Sequence, residues 1–177
     1  MVSDASRQRF GALFQSLDRN GDGFVDGDDY ELVIATLAQR RGLQAGSPGH
    51  DDLRTKVMHG WEGLRELGDA DGDGRVTRSE YVDAMSALAD SPDGLDRIGR
   101  SIADQMITAS DADGDGRLDL DEFTDMMGAW GAAGDRAEAL FRHIDANGDG
   151  FLSRDELLAS MRRFFLDDDP NAPHLYG

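Results

Sequence analysis

No cysteine occurs in the 177 residues, which excludes disulfides, thiolate metal sites and CxxC redox chemistry and fits a reducing compartment. Nor does any stretch approach ~18 consecutive apolar residues, so no segment is expected to span a membrane. The opening MVSDASRQRF lacks a basic n-region leading into an apolar h-region, and no secretory leader is expected. Val2 stands where the N-myristoylation motif has glycine, so that lipid is not expected. Positive charge is also scarce. Eighteen Lys and Arg face 36 Asp and Glu, a net charge of −18, which argues against nucleic acid or an anionic membrane as partner. The chain has no nucleophile–base pattern and no phosphate-binding glycine loop. Its four histidines (His50, His59, His143, His174) stand at no ligand spacing. No enzyme is expected, and the expected location is cytoplasmic.

What the chain does contain is one acidic design repeated four times. Residues 69–80 (DADGDGRVTRSE), 111–122 (DADGDGRLDLDE) and 145–156 (DANGDGFLSRDE) have oxygen side chains at positions 1, 3 and 5, Gly at 6 and Glu at 12. Residues 18–29 (DRNGDGFVDGDD) differ in closing on Asp. From average residue usage, one full match arises by chance on the order of once per million starting points. The pattern follows from the chemistry of Ca²⁺, a hard cation that takes six to eight oxygens at ~2.3–2.6 Å. Alternate side chains of a tight loop converge on one centre, and Gly at 6 takes a turn that a Cβ would obstruct. Position 7 offers only its carbonyl oxygen. Position 12 lies in the first turn of the next helix, where Glu chelates with both oxygens.

The candidate ligands follow loop by loop. They are Asp18, Asn20, Asp22, Phe24, Asp26 and Asp29 in the first, and Asp69, Asp71, Asp73, Arg75, Thr77 and Glu80 in the second. The third supplies Asp111, Asp113, Asp115, Arg117, Asp119 and Glu122, and the fourth Asp145, Asn147, Asp149, Phe151, Ser153 and Glu156. Phe24, Arg75, Arg117 and Phe151 enter through the backbone alone, so their side chains are selected for something else. Asp29 is one methylene shorter than Glu, which favours six-fold coordination and makes Mg²⁺ a competitor, above all at residues 18–29. Sixteen of the 36 acidic residues are candidate ligands, and four bound Ca²⁺ would bring the charge from −18 to −10. Without metal these carboxylates repel one another, so binding is expected to be coupled to folding.

Helical patterning flanks every loop. Phe10, Leu13, Phe14 and Leu17 enter the first loop; Tyr30, Val33, Ile34 and Leu37 leave it. Leu53, Val57, Trp61 and Leu64 enter the second, with Tyr81, Met85 and Leu88 behind it. Leu95, Ile98, Ile102 and Met106 enter the third; Phe123, Met126, Met127 and Trp130 leave it. Leu140, Phe141 and Ile144 enter the fourth, followed by Leu157, Leu158, Met161, Phe164 and Phe165. The predicted fold is therefore all-α, with four helix–loop–helix units. Apolar residues at position 8 (Val25, Val76, Leu118, Leu152) predict short two-stranded contacts joining loop 1 to loop 2 and loop 3 to loop 4. Breakers at residues 42–49, and Pro92 with Gly94, interrupt the connections. The two pairs, residues 1–89 and 95–166, are expected to fold back on one another ahead of a tail at 167–177.

These loops, the long first linker, the closing Asp29, the segment WEGL at 61–64 and the tail FFLDDDPNAPHLYG at 164–177 resemble the bacterial calerythrin and sarcoplasmic calcium-binding group of the EF-hand superfamily. That resemblance implies a compact intracellular calcium buffer, often with one loop unable to bind; this sequence departs from it in showing no dead loop. The expected function is a monomeric, non-catalytic buffer of three or four Ca²⁺. The alternative is a sensor that exposes a methionine-lined groove to a target helix. Met58, Met85, Met106, Met126, Met127 and Met161 are read as core, and Leu175 and Tyr176 as able to fold back over such a groove.

Overall fold

The computed structural model describes residues 2–91, 93–132 and 134–166, and the tail at 167–177, with Leu175 and Tyr176 read as able to fold back, lies outside them. Eight helices occur among these residues: α1 (Asp4–Leu17), α2 (Gly27–Arg40), α3 (Pro48–Gly68), α4 (Arg78–Ala89), α5 (Gly94–Ser110), α6 (Leu120–Ala129), α7 (Asp135–Ile144) and α8 (Arg154–Leu166). Local chemistry sets their starts. The Ser3 hydroxyl accepts from the Ser6 amide to open α1, and Ser47 accepts from His50 to open α3, with Pro48 in the first turn. The predicted break at residues 90–94 falls at the junction of α4 and α5, with Gly94 opening α5. Gly131 and Gly134, with φ of 90° and 74°, turn the chain between α6 and α7.

The loops pair as the position-8 residues predict. β1 (Phe24–Val25) runs antiparallel to β2 (Val76–Thr77), with Val25 opposite Val76 and Phe24 opposite Thr77. In the other pair, Leu118 and Leu152 exchange both backbone hydrogen bonds, at 3.1 and 2.7 Å. All four position-8 side chains are fully buried. Within each pair the outer helices pack together, α1 on α4 and α5 on α8; between pairs, α2 meets α6 and α3 meets α5.

One core therefore serves both pairs. Tyr30 of α2 touches Trp61 of α3 at 5.8 Å between ring centroids and meets Trp130, just beyond α6, edge-on at 5.2 Å. The Arg40 guanidinium donates to Asp125 of α6 at 2.8 Å, and the Gln105 amide of α5 donates to the Lys56 carbonyl of α3. Most of the predicted apolar stripes line this core, and Met85, Met106, Met126, Met127 and Met161 are buried in it. Helix α5 departs from the single-stripe reading. Ala103 and Ile107 are buried beside Met106, while Ile102 is only half-buried. The reason is that α5 is covered on two sides, by α3 and by α8.

Candidate metal centres

Each loop begins where a helix ends. Asp18, Asp69, Asp111 and Asp145 are the C-terminal caps of α1, α3, α5 and α7, their amides donating back to Phe14, Arg65, Ile107 and Phe141. From that cap the position-1 carboxylate reaches forward over the loop. One oxygen accepts from the position-4 glycine amide (Gly21, Gly72, Gly114 and Gly148, at 2.7, 2.8, 2.6 and 2.8 Å). The other accepts from the position-6 glycine (Gly23, Gly74, Gly116 and Gly150, at 3.0, 3.0, 2.9 and 3.1 Å). The position-6 glycines have φ between 83° and 91°, the left-handed region that only glycine enters freely. Position 4 needs glycine for the same reason, with φ between 71° and 82°, a requirement that the ligand pattern did not anticipate.

Further along, the position-3 side chain accepts from the amide of position 5. The distances are 2.8 Å for Asn20, 3.1 Å for Asp71, 3.0 Å for Asp113 and 2.7 Å for Asn147. Position 5 accepts in turn from the amide of position 7, at 2.8–3.0 Å in all four loops. In loops 2 and 3 the three carboxylates of positions 1, 3 and 5 come within 4.8 Å of one another. Like charges held so closely repel unless a cation lies among them. The donor set is hard oxygen throughout, which fits Ca²⁺. Loops 1 and 4 are less crowded because position 3 is asparagine. Asn20 and Asn147 each donate their amide to the position-5 carboxylate at 3.2 Å.

Position 12 closes every loop in one way. One carboxylate oxygen accepts from the position-2 amide: Arg19 to Asp29 at 2.8 Å, Ala70 to Glu80 at 3.2 Å, Ala112 to Glu122 at 2.7 Å and Ala146 to Glu156 at 3.1 Å. The second oxygen accepts from the position-9 amide at 2.8–3.0 Å. Asp29 thus makes the same two connections as the longer glutamates, and it is fully buried in doing so. Position 9, read from sequence as a ligand, is the N-cap of the exiting helix in each unit. The Thr77 and Ser153 hydroxyls also donate to the Glu80 and Glu156 carboxylates at 2.7 Å.

The electrostatics divide loop 1 from the rest. Burial raises the Asp29 pKa above its ordinary value despite the amides of Asp26, Asn20 and Arg19. The Glu80 pKa is lowered, first by its hydrogen bonds from Thr77. For Asp111 and Glu156 burial pushes upward, and the hydrogen bonds from Gly116, Gly114 and Asp115 to one and from Ser153, Asn147 and Ala146 to the other outweigh it.

Position 7 has a second role. On the exposed face of the paired loops the Arg75 guanidinium lies 5.2 Å from the centre of the Phe24 ring, and Arg117 lies 3.9 Å from that of Phe151. The sequence signal was the Phe and Arg alternation between partner loops. Arg41 gave no such signal. Its guanidinium donates to the carbonyls of Ala109 and Ser110 at 3.3 and 2.8 Å, capping α5 immediately before loop 3.

Comparison with known proteins agrees with this geometry. Residues 10–34 and 66–85 match the EF hand family, 94–128 the EF-hand domain pair and 136–164 the EF hand domain, together more than half of the chain. A calcium-binding protein of Streptomyces coelicolor, described in terms of prokaryotic calcium-mediated regulation, is 28% identical with a TM-score of 0.72, covering 90% of this chain and 97% of the other. The calcium-loaded coelenterazine-binding protein of Renilla muelleri is 26% identical with a TM-score of 0.76, covering 93% and 91%. A sarcoplasmic calcium-binding protein from amphioxus shares the fold at 19% identity and a TM-score of 0.60, covering 93% and 91%. Among curated sequences, the guanylyl cyclase inhibitory protein of Lithobates pipiens is 36% identical over 87 residues, 49% of this chain and 35% of its own. The chain thus spans about a third of the length of the first curated relatives it matches.

Proposed function

Because the chain belongs to the EF-hand superfamily and is a calcium-binding protein, we propose that it acts as an intracellular Ca²⁺ buffer with a working site in each of its four loops and no catalytic role. The observation that carries this reading is the identical hydrogen-bond frame of all four loops, Asp29 included, built on one shared core. A set of preformed sites in a single packed body suits tight binding with little rearrangement. The ligands proposed are the side chains at positions 1, 3, 5 and 12 and the carbonyl at position 7, with position 9 acting through water. Residues 1–89 and 95–166 are proposed as the two pairing units, within a monomer.

A second reading, a sensor that opens an apolar groove to a target helix, is favoured by the likeness to the Streptomyces protein described in terms of calcium-mediated regulation. Burial of Met85, Met106, Met126, Met127 and Met161 weighs the other way, since a groove wide enough for a helix would have to part the helices of the shared core.

Calorimetric Ca²⁺ titration of stripped protein, with and without millimolar Mg²⁺, separates the two readings. The buffer predicts dissociation constants near ~10⁻⁹–10⁻⁸ M that weaken with Mg²⁺, whereas a sensor predicts ~10⁻⁷–10⁻⁵ M. Glu80→Gln, Glu122→Gln and Glu156→Gln should each remove one site from the stoichiometry. An unchanged stoichiometry would overturn the ligand assignment.

A further inference from the structure

A cavity of about 510 Å³ opens between the two pairs, and we infer that it is a binding site for a neutral, ring-bearing small molecule with one hydrogen-bonding group. Its size falls within the roughly 300–1,000 Å³ of ligand pockets. Protein interiors rarely keep a void of this kind, because close packing would otherwise fill it. Its walls include Tyr30, Val33, Tyr81, Met85, Met106 and Trp130, and so combine flat aromatic faces with adaptable thioethers.

Ser110 supplies the polar point. It lines the cavity, is 1% exposed, and its hydroxyl has no hydrogen-bond partner. A buried hydroxyl is normally satisfied, and one carbonyl or hydroxyl on a ligand would satisfy this one.

The exposed part of the lining comes from α3 (His59, Gly63, Glu66, Leu67) and α5 (Ser101), and we take it as the mouth. Gly60 and Gly63 of α3 stand on its rim, Leu67 beside them is 37% exposed, and a Cβ added at Gly63 would meet nothing within 4 Å. A Cβ at Gly60 would instead press on Gln105 of α5 at 3.3 Å, so α3 and α5 approach closely there, and the space for a larger side chain is at Gly63. Glu66 is the carboxylate at the rim, on a chain of net charge −18, so the site disfavours anions.

The test is a fluorescence titration of the full-length, calcium-loaded protein with 6-propionyl-2-(dimethylamino)naphthalene, a neutral two-ring carbonyl dye whose emission shifts blue in apolar surroundings. We expect the shift to saturate at one equivalent. Ala109→Trp, which fills the cavity, and Gly63→Trp, which crosses its mouth, should each weaken binding at least about tenfold. Loss of the hydroxyl in Ser110→Ala should weaken it about five- to tenfold. Leu32→Ser, at an exposed leucine elsewhere on α2, should leave the affinity unchanged, as should the double change Leu175→Asp with Tyr176→Asp. The inference is overturned by non-saturating binding, or by unchanged affinity in filled variants that retain wild-type helicity and calcium stoichiometry. A tenfold loss in Leu32→Ser would overturn it in favour of surface adsorption. A tenfold gain in the Leu175 and Tyr176 variant would assign the cavity to the chain's own C-terminal segment.

Discussion

Asp29 shows how one methylene changes a site without changing its wiring. Its carboxylate takes the same backbone amides as Glu80, Glu122 and Glu156, but from within the protein rather than at its edge. Burial favours the proton, so the Asp29 pKa is raised while those of Glu80 and Glu156 are lowered. The signs are opposite in the metal-free protein. The Asp29 contribution to stability is present at low pH and is lost as pH rises through its raised pKa. The contributions of Glu80 and Glu156 are present above their unfolded values and are lost as pH falls through their lowered pKa values. Calcium needs the carboxylate form, so protons should displace it from loop 1 first. Following the amide resonances of Gly23, Gly74 and Gly150 in calcium titrations from about pH 7 down to about pH 5 should show loop 1 weakening before loops 2 and 4. Simultaneous weakening would contradict the assignment. That position 12 carries a carboxylate was legible in the sequence. That one of the four is buried was not, because burial depends on how deeply the shorter side chain draws the loop onto its helix.

The unit that matters next is the loop pair. Position 8 predicts the pairing, since an apolar side chain there gains by facing its counterpart, and Val25 with Val76 and Leu118 with Leu152 do so. Position 7 on the opposite face sets a Phe against an Arg in both pairs. These contacts tie one calcium loop to the other, and each arginine also reaches a candidate ligand, Arg117 donating to Asp115 at 3.0 Å and Arg75 pairing with Asp26 at 3.8 Å. A double-mutant cycle on Arg117→Ala and Phe151→Ala should give a coupling of about 0.5–1 kcal/mol, read from thermal unfolding of the calcium-loaded protein. The same variants should make loops 3 and 4 fill more independently. A coupling within error of zero would reduce the stacked pair to a surface accident.

Across the whole molecule, the link between pairs runs through Arg41 as well as the shared aromatic cluster. This side chain leaves the end of α2 and caps α5, its charge faced by Asp125, Glu122 and Asp111, while burial lowers its pKa. Arg41→Met should leave two carbonyls at the end of α5 without a donor and destabilise the protein by about 1–3 kcal/mol. Loop 3 should lose affinity alongside, because Asp111 follows directly on the loosened helix end. Thermal denaturation with a parallel calcium titration checks both outcomes, and an unchanged melting temperature with wild-type loop 3 affinity would remove Arg41 as a link between pairs.

The sequence by itself determined the four loops, their flanking helices, their pairing and the chemistry of the ion they suit. The loops, their helices and the ligand chemistry depend on residues within about a dozen positions of one another, where spacing is geometry, and the pairing was legible because each loop carries its own apolar position 8. Only the tertiary structure decided that both pairs share one core, that α5 is covered on two faces, that Arg41 reaches loop 3, and that a cavity remains where α3 and α5 meet. Those features arise between segments far apart in the chain, and packing two half-bundles against each other sets them through side-chain volumes that no local pattern encodes.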